Sequence, residues 1–202
     1  MGTIHIDLFM TLDGVAQAPG GPEEDTDRRF EFGGWQAPLI DEVVGAQVDS
    51  GMAGMDALLL GRRTHEIFAG YWPHQPGRVA DLLNRLPKYV ASHAPLSSPW
   101  AATSWLGPDP VEAVRSLRQR HREIHVIGSL DFVQTLFAEK LFDQLNLWIH
   151  PVLLGQGKKV FAEGVTPTRL RLVPPVVASP KGTVLQRYAL VEGRPEVGTM
   201  AP

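Results

Sequence analysis

Apolar and polar residues alternate in several short stretches of the chain, and glycines mark where many of these stretches end. Residues 3–10, TIHIDLFM, carry apolar side chains at every second position, which is typical of a strand with one face on the core. Residues 56–60 and the stretch IHVIGS are mostly apolar runs that stop at a glycine, as buried parallel strands do. Residues 88–92 and the stretch QLNLWIHPVLL predict two further strands.

Helical patterns separate these strands. We expect a helix that starts near Pro38, a second from about Thr64, and a short one within the loop 73–87. The strongest pattern is GPDPVEAVRSLRQRHR, where Asp109 is suited to cap the helix and Pro110 to its first turn. LDFVQTLFAEK predicts the last helix. The apolar face of the first helix is expected to contain Ile40, Val43, Val44 and Val48.

The order of these elements predicts an α/β fold. Strands alternate with helices for three quarters of the chain, which favours a mostly parallel sheet covered on both faces. Residues 169–178 and 183–191 flank the turn SPKG and predict a C-terminal antiparallel hairpin at one edge. We expect a single domain over residues 1–192, followed by a flexible tail over residues 193–202.

Composition narrows the class of protein. The 202 residues are 44% apolar and 20% charged, which is ordinary for a globular domain. A net charge of -3 gives no general attraction to nucleic acid or to anionic membranes. The chain has no cysteine, and no apolar run reaches the roughly 18 residues that span a bilayer. MGTIHIDLFM is unlike a signal peptide, so we expect a cytoplasmic protein.

Three predicted strand ends carry polar turn residues: Gly61 to Thr64, Ser92–His93 and Gly128–Ser129. Ligands of parallel sheets bind at the carboxyl ends of strands. Arginines at a helix N-terminus oppose the helix dipole unless they share it with a bound anion. Arg62 and Arg63 therefore indicate an anion site, with solvated arginines and a Thr64 that only caps the helix as the alternative. No glycine-rich nucleotide motif of the Rossmann or P-loop type is present.

Six motifs occur in an order that resembles the dihydrofolate reductase-like family. They are TLDGVAQAPGGPEED, FEFGGW, LLLGRRTHEIF, LPKYVAS, IHVIGSLDFVQTL and FDQLNLWIHPVLLGQGKKVF. The resemblance covers about residues 2–191 and is closest to stand-alone bacterial relatives of the reductase domain of riboflavin biosynthesis enzymes. It implies a three-layer fold with a central mixed sheet. It also implies an NADPH-dependent reductase that acts on a small planar heterocycle of pterin or pyrimidine type.

The resemblance also assigns roles to individual residues. Arg62 would contact the adenosine 2'-phosphate, with Ser92 and His93 nearby. The turn that begins at Gly61 would hold the pyrophosphate through Arg63 and Thr64. The pyrophosphate and the nicotinamide ribose would run along Gly128, Ser129 and Leu130, the nicotinamide would border the segment Thr11 to Gly14, and Leu154 and Gly155 would border the substrate cleft. Relatives often have arginine at the position of His93, which weakens the expected preference for NADPH over NADH.

A reductase also needs a proton source and a surface for its substrate. Candidate acids are Asp13, which also suits a turn former, and Asp41, on the helix that carries the substrate-binding acid in dihydrofolate reductases. Two further candidates are Asp7, which also suits a structural carboxylate inside a strand, and Glu42. Trp35 could stack on a flat heterocycle or plug its loop against the core.

Three expectations concern partners. The seven histidines show no metal-ligand spacing, so His5, His125 and His150 are expected to be structural and no metal is expected. Relatives pair two subunits through an edge strand near Gln144 and Asn146, which suggests a homodimer. Because no single acid stands out as the proton donor, a nucleotide-binding protein of the same fold without turnover remains the alternative to a reductase.

Overall fold

A computed structural model describes residues 1–161 and 163–200, and eight strands in one sheet dominate it. The strands are β1 (Thr3–Thr11), β2 (Ala57–Gly61), β3 (Lys88–Ala91), β4 (Thr103–Trp105), β5 (Glu123–Ile127), β6 (Gln144–His150), β7 (Arg169–Ala178) and β8 (Val184–Val191). The helices are α1 (Glu42–Met52), α2 (Arg62–Tyr71), α3 (Arg78–Arg85), α4 (Pro110–Arg120) and α5 (Leu130–Ala138). Three 3-10 turns lie at Asp27–Arg29, Ala37–Leu39 and Trp72–His74.

The strand order is β4-β3-β2-β5-β1-β6-β8-β7. Neighbouring strands from β4 to β6 are parallel, and β8 is antiparallel to both β6 and β7. The strands β2, β5 and β1 are adjacent, so their carboxyl ends meet at one edge of the sheet. The sequence-based expectation of a mostly parallel sheet with a C-terminal antiparallel hairpin is confirmed.

Alternation within the strands produces the three layers. Ile4, Ile6 and Leu8 of β1 point to the face covered by α4 and α5, in the largest apolar cluster of the molecule. The opposite face packs Leu58 and Leu60 of β2 against α2 and α3. α1 covers the same face, where its Val44 packs against Trp148 and Leu185.

Several predicted boundaries are wrong. The segment Ala37–Leu39 is a 3-10 turn and α1 begins only at Glu42, so Ile40 precedes the helix and is exposed. α2 begins at Arg62, directly after β2, rather than near Thr64. β6 ends at His150, before the predicted end at residue 154. β4 was not predicted, because three residues are too few to show a period.

Two expectations about the ends and edges can be compared with the structure. β6 lies between β1 and β8, so the strand that carries Gln144 and Asn146 is not a sheet edge; the homodimer itself remains a prediction. The domain limits 1–192 and the flexibility of the tail also remain predictions, and residues 201 and 202 of that tail lie outside the described part. In the described part of the chain, no helix combines the length and the apolar character needed to cross a membrane.

Candidate active site

Two helices start side by side where β2 and β5 end. Gly61 precedes α2 and Ser129 precedes α5, and neither helix has a side-chain hydrogen bond that caps its first turn. The Gly61 N–H donates to Ser129 Oγ over 2.7 Å, which joins the two turns. Helix N-termini attract anions through unpaired N–H groups and the helix dipole. The predicted strand-end residues Gly61 and Ser129 therefore lie on one common edge, where two helix N-termini meet.

The turn between β5 and α5 has an unusual backbone. Gly128 and Ser129 adopt left-handed conformations in succession, with φ of 68° and 66°. A glycine occupies this region at little cost, and it also lets a ligand approach the backbone closely. A Cβ added to Gly128 would lie 3.6 Å from Thr64 Cγ2, so the side chain of Thr64 faces this turn. Because Gly61 is the N-cap of α2, Thr64 lies in the first turn of the helix and does not cap it, contrary to one expectation.

Arg62 lies next to this edge and its guanidinium is accessible. Its Nη1 donates to Glu66 Oε1 and Oε2 over 2.7 and 2.9 Å, in an i,i+4 pair whose side chains are 56% and 36% exposed. Pairs of this kind contribute little to stability, about 0.3–0.5 kcal/mol. Arg62 can therefore exchange Glu66 for a phosphate at low cost.

Ser92 and His93 lie beside Arg62. Gly61 of β2 is paired in register with Ala91 of β3, so the residues that follow the two strands are neighbours. The Ser92 hydroxyl bonds with the backbone of Ala94, at 2.6 Å to its carbonyl oxygen and 3.2 Å to its nitrogen. His93 is exposed. Arg62, Ser92 and His93 therefore follow neighbouring strand ends at one corner of the carboxyl edge, where Arg62 and His93 are exposed.

Arg63 has a different environment from Arg62. Its Nη2 donates to Asp25 Oδ1 over 2.8 Å, and Nη1 pairs with Asp27. Lys158 Nζ reaches the same two carboxylates over 2.7 and 2.8 Å. Hydrogen bonds from Lys158 and Arg63 lower the pKa of Asp27 below its ordinary value. This ion network connects the loop before α1, the start of α2 and the turn after β6.

The segment that follows β1 is joined to the segment that follows β6. The Thr11 hydroxyl donates to Asp13 Oδ1 over 2.6 Å, and the Gly155 N–H donates to Asp13 Oδ2 over 2.8 Å. A weaker bond comes from the Leu154 N–H at 3.3 Å. Gly14 completes the turn with φ of 82°. The structure thus brings Thr11, Gly14, Leu154 and Gly155 together, with Asp13 as the group that holds them.

These bonds bear on the candidate proton donors. The hydrogen bond from Thr11, followed by those from the backbone, lowers the pKa of Asp13. Asp41 caps α1 by accepting from the Val44 N–H at 2.9 Å, and this bond lowers the pKa of Asp41. Both carboxyls are therefore ionised acceptors at neutral pH, whereas a proton donor must hold its proton there. Their contacts give them structural roles, and their catalytic assignment remains a prediction without geometric support.

Asp7 also has a complete set of partners inside the sheet. Its Oδ2 lies 2.7 Å from His125 Nδ1, and Asn146 Nδ2 donates to its Oδ1 over 2.8 Å. Burial lowers the pKa of His125, but the hydrogen bonds that its ring donates to the carboxylates of Asp7 and Glu123, and their negative charge, outweigh burial and the net shift is upward. Asp7 is thus a satisfied structural carboxylate, as one of the two sequence-based interpretations held.

Trp35 fills the core beneath the loop that precedes α1. It is 9% exposed, its indole N–H donates to the Gln17 carbonyl over 2.8 Å, and its ring packs edge-on against His150 at 5.2 Å between centroids. Val15 and Phe30 surround it. These contacts match the interpretation of Trp35 as a plug. Leu130, in contrast, is the first residue of α5 and packs partly against the main core.

Glu24, which the sequence did not single out, has the opposite pKa shift from Asp13 and Asp41. Burial raises the pKa of its carboxyl, although its Oε2 accepts from the Gly20 and Gly21 N–H groups over 2.6 and 3.2 Å. A raised pKa keeps a carboxyl protonated closer to neutrality. The burial of Glu24 depends on how its loop folds, so the sequence could not show it. The only local signal for the position of Glu24 was the glycine-rich stretch that precedes it.

The fold places the molecule in a known structural class. The dihydrofolate reductase from Enterococcus faecalis, solved in complex with NADP(H) and RAB-propyl, matches 95% of this chain and 98% of its own with a TM-score of 0.58 and 15% identity. A pyrimidine reductase-like protein from Corynebacterium diphtheriae matches 95% of this chain and 93% of its own, with a TM-score of 0.65 and 14% identity. The molecule thus has the dihydrofolate reductase-like fold.

The family follows from the sequence comparison. The model of the RibD C-terminal domain matches residues 2–184, so the chain belongs to that family. The protein YyaP of Bacillus subtilis (strain 168), which is uncharacterized, is 24% identical over 180 residues, or 84% of this chain and 86% of YyaP. The suspected relationship to the reductase domain of riboflavin biosynthesis enzymes is confirmed.

Proposed function

We propose that this protein is an NADPH-dependent reductase that transfers a hydride to a small planar heterocycle of pterin or pyrimidine type. The observation that carries the proposal is the pair of uncapped helix starts at Gly61 and Ser129, joined by a 2.7 Å hydrogen bond. Two such starts offer a pyrophosphate more N–H donors than one helix can. The NADP(H) complex of the Enterococcus faecalis enzyme supports the choice of cofactor.

The proposed cofactor runs along the carboxyl edge of the sheet. The 2'-phosphate would take the accessible corner of Arg62, Ser92 and His93, and the pyrophosphate would lie between the starts of α2 and α5. Since β1 is the next strand after β5, the nicotinamide would then border the turn that contains Thr11 and Gly14. Arg63 would act indirectly in this arrangement, because Asp25 and Asp27 already hold its guanidinium.

The substrate would bind where the turn after β1 meets the turn after β6. Asp13 holds these turns together, so its role would be to keep Leu154 and Gly155 beside the nicotinamide. The protein would supply alignment of the acceptor atom with the cofactor, and the cofactor supplies the hydride. Asp13 and Asp41 are held as acceptors, so solvent would supply the proton.

A second candidate is an NADP(H)-binding protein without turnover. The observation that favours it is the same use of Asp13 and Asp41 as structural acceptors, so neither of these two carboxyls is placed for proton transfer. This candidate shares the cofactor site with the reductase. It differs in predicting no oxidation of NADPH in the presence of any acceptor.

A parallel fluorescence titration with NADPH and NADH tests the cofactor site. We expect micromolar affinity for NADPH and weaker affinity for NADH, because only NADPH carries the phosphate for the Arg62 corner. Absence of binding to both cofactors would overturn the proposal. Acceptors of pterin and pyrimidine type are then screened by loss of NADPH absorbance: oxidation with one class supports the reductase, and NADPH binding without oxidation supports the second candidate.

A further inference from the structure

Two histidines and a glutamate meet at the amino ends of β1 and β5, away from the proposed cofactor edge. The strands pair in parallel with Thr3 opposite Glu123 and His5 opposite His125. His5, Glu123 and His125 each offer one atom that could ligate a metal, and these three atoms lie within 4.8 Å of one another. The proposed reductase makes no use of these groups. The sequence concealed the cluster because its members come from two strands that are distant along the chain.

The position of the His125 ring is fixed by a carboxylate behind it. His125 is 1% exposed, and its Nδ1 lies 2.7 Å from Asp7 Oδ2. An ionised carboxylate only accepts hydrogen bonds, so Nδ1 carries a proton. Asn146 secures the other oxygen of Asp7 at 2.8 Å. Carboxylates orient metal-binding histidines in this way and leave the second ring nitrogen to the metal.

The second nitrogen of His125 faces Glu123. Nε2 lies 3.1 Å from Glu123 Oε1; the protonated ring donates a hydrogen bond there, and a bound metal ion would take the place of that proton. Bonds of 2.0–2.2 Å in a tetrahedral zinc site separate neighbouring ligand atoms by about 3.3 Å. The His125–Glu123 pair is therefore close to the spacing that zinc requires. The Glu123 carboxylate is also confined, because Oε2 lies against Gly54, where any side chain would collide with it.

His5 can provide the third ligand. Its ring stacks on that of His125, with centroids 4.9 Å apart and planes inclined by 22°. It is only partly buried, and its sole hydrogen bond in the described residues joins Nε2 to the Thr3 hydroxyl at the surface over 3.1 Å. The ring can therefore turn toward the pair at the cost of one exposed hydrogen bond. The Glu123 side chain is 30% exposed, so water can reach the cluster and complete a fourth position.

The local charge favours a divalent cation. Within residues 1–161 and 163–200, the only ion-pair partner of Asp7 and of Glu123 is His125, so two carboxylates share one imidazole. We propose that His5, Glu123 and His125 bind a Zn²⁺ ion, with Asp7 as the carboxylate that orients His125. Two imidazoles and a carboxylate are a donor set that zinc accepts with an open fourth position.

Calorimetric titration of the untagged, chelator-treated full chain with ZnCl2 tests this site. We expect one Zn²⁺ per chain and a rise in the melting temperature that grows with zinc concentration, since ligands that bind only the folded state stabilise it. His5→Ala and Glu123→Gln should each weaken zinc binding at least tenfold. The exposed His74 lies on the 3-10 turn after α2, so His74→Ala is the matched control and should bind like the wild type.

Three outcomes overturn the zinc site: no heat of binding for the wild type, equal binding by His5→Ala and Glu123→Gln, or an equal loss in His74→Ala. Circular dichroism of each variant checks the fold, and His5→Gln replaces His5→Ala if the latter fails to fold. The outcome is independent of the proposed reductase, because NADPH titration of the same variants reports on the opposite ends of the strands.

Discussion

The two halves of the carboxyl edge treat their polar groups in opposite ways. At the β2/β5 half, Gly61 and Ser129 precede helices that have no side-chain cap. At the β1/β6 half, Asp13 accepts three hydrogen bonds, from the Thr11 hydroxyl and from the Leu154 and Gly155 N–H groups. The helix starts of the first half have N–H donors that no side chain caps. In the second half, the Asp13 carboxylate is already occupied by hydrogen bonds from the protein.

This difference shows why residue type alone misleads. Asp13 and Asp41 suggest catalysis by their chemistry, yet both serve as acceptors for nearby backbone groups. The two arginines of α2 are adjacent in sequence, yet one pairs weakly at the surface and the other belongs to a network of four charges. A group that still has bonding capacity is a better indicator of a ligand site than a group of suggestive type.

The largest effect that we expect concerns Arg62. Arg62→Ala should weaken NADPH binding about 10- to 150-fold, corresponding to about 1.5–3 kcal/mol for a hydrogen-bonded charge, and should weaken NADH binding much less. Fluorescence titration with both cofactors measures this. Glu66→Gln should preserve or improve NADPH affinity, because it removes the competing carboxylate.

Arg171→Ala, an exposed arginine on β7, is the matched control for charge and should change neither affinity. An equal loss of NADPH and NADH affinity in Arg62→Ala would move Arg62 away from the 2'-phosphate. It would then belong to the pyrophosphate region, together with the helix starts.

A smaller effect is expected at Gly128. Gly128→Ala should cost about 1–2 kcal/mol of stability, because alanine is disfavoured at positive φ, and should weaken NADPH binding roughly tenfold by adding a methyl group where the pyrophosphate approaches. Gly107 also has positive φ and open space around it, so Gly107→Ala is matched for backbone strain. Urea unfolding and NADPH titration of both variants separate the two effects.

Gly107→Ala should lose comparable stability and retain full NADPH affinity. If both variants bind NADPH like the wild type, the turn at Gly128 does not contact the cofactor, and the uncapped helix starts lose their proposed role. If both lose affinity equally, the change comes from general destabilisation.

Much of the fold was predictable because local periodicity decides it. The alternation in TIHIDLFM placed Ile4, Ile6 and Leu8 on one face, as observed. Boundaries failed where two local signals competed. Pro38 suggested a helix start, but Asp41 caps the helix three residues later by bonding to Val44. The three residues of β4 have no detectable period.

The strand order made only one feature of the candidate site predictable, namely which strand ends meet. Strand ends that follow apolar runs meet at one edge, which brought Gly61 and Gly128 together without any motif. Asp25, one of the two partners of Arg63, lies 38 residues away in a loop without a regular pattern, so the sequence could not show that the charge of Arg63 is already paired. The burial that raises the pKa of Glu24 is likewise a property of the folded loop.

The smallest effect is expected for Asp13, and it decides between a structural and a catalytic carboxyl. Asp13→Ala should lower the free energy of unfolding by about 1–2 kcal/mol through lost hydrogen bonds, as measured by urea unfolding. The pKa of Asp13 is lowered in the folded state, so its stabilisation is present above the ordinary value of 3.8 and is lost as the pH falls below it. The stability gap between wild type and Asp13→Ala should therefore close at acid pH.

The amide in Asp13→Asn keeps an oxygen acceptor but cannot donate a carboxyl proton. With any acceptor that the protein reduces, Asp13→Asn should keep its turnover within a few-fold of the wild type and leave the pH profile unmoved. A fall of about 100-fold or more in turnover with unchanged NADPH affinity is the mark of general acid catalysis and would restore Asp13 as proton donor. Because the bonds to Thr11 and Gly155 use its ionised form, we expect the structural outcome.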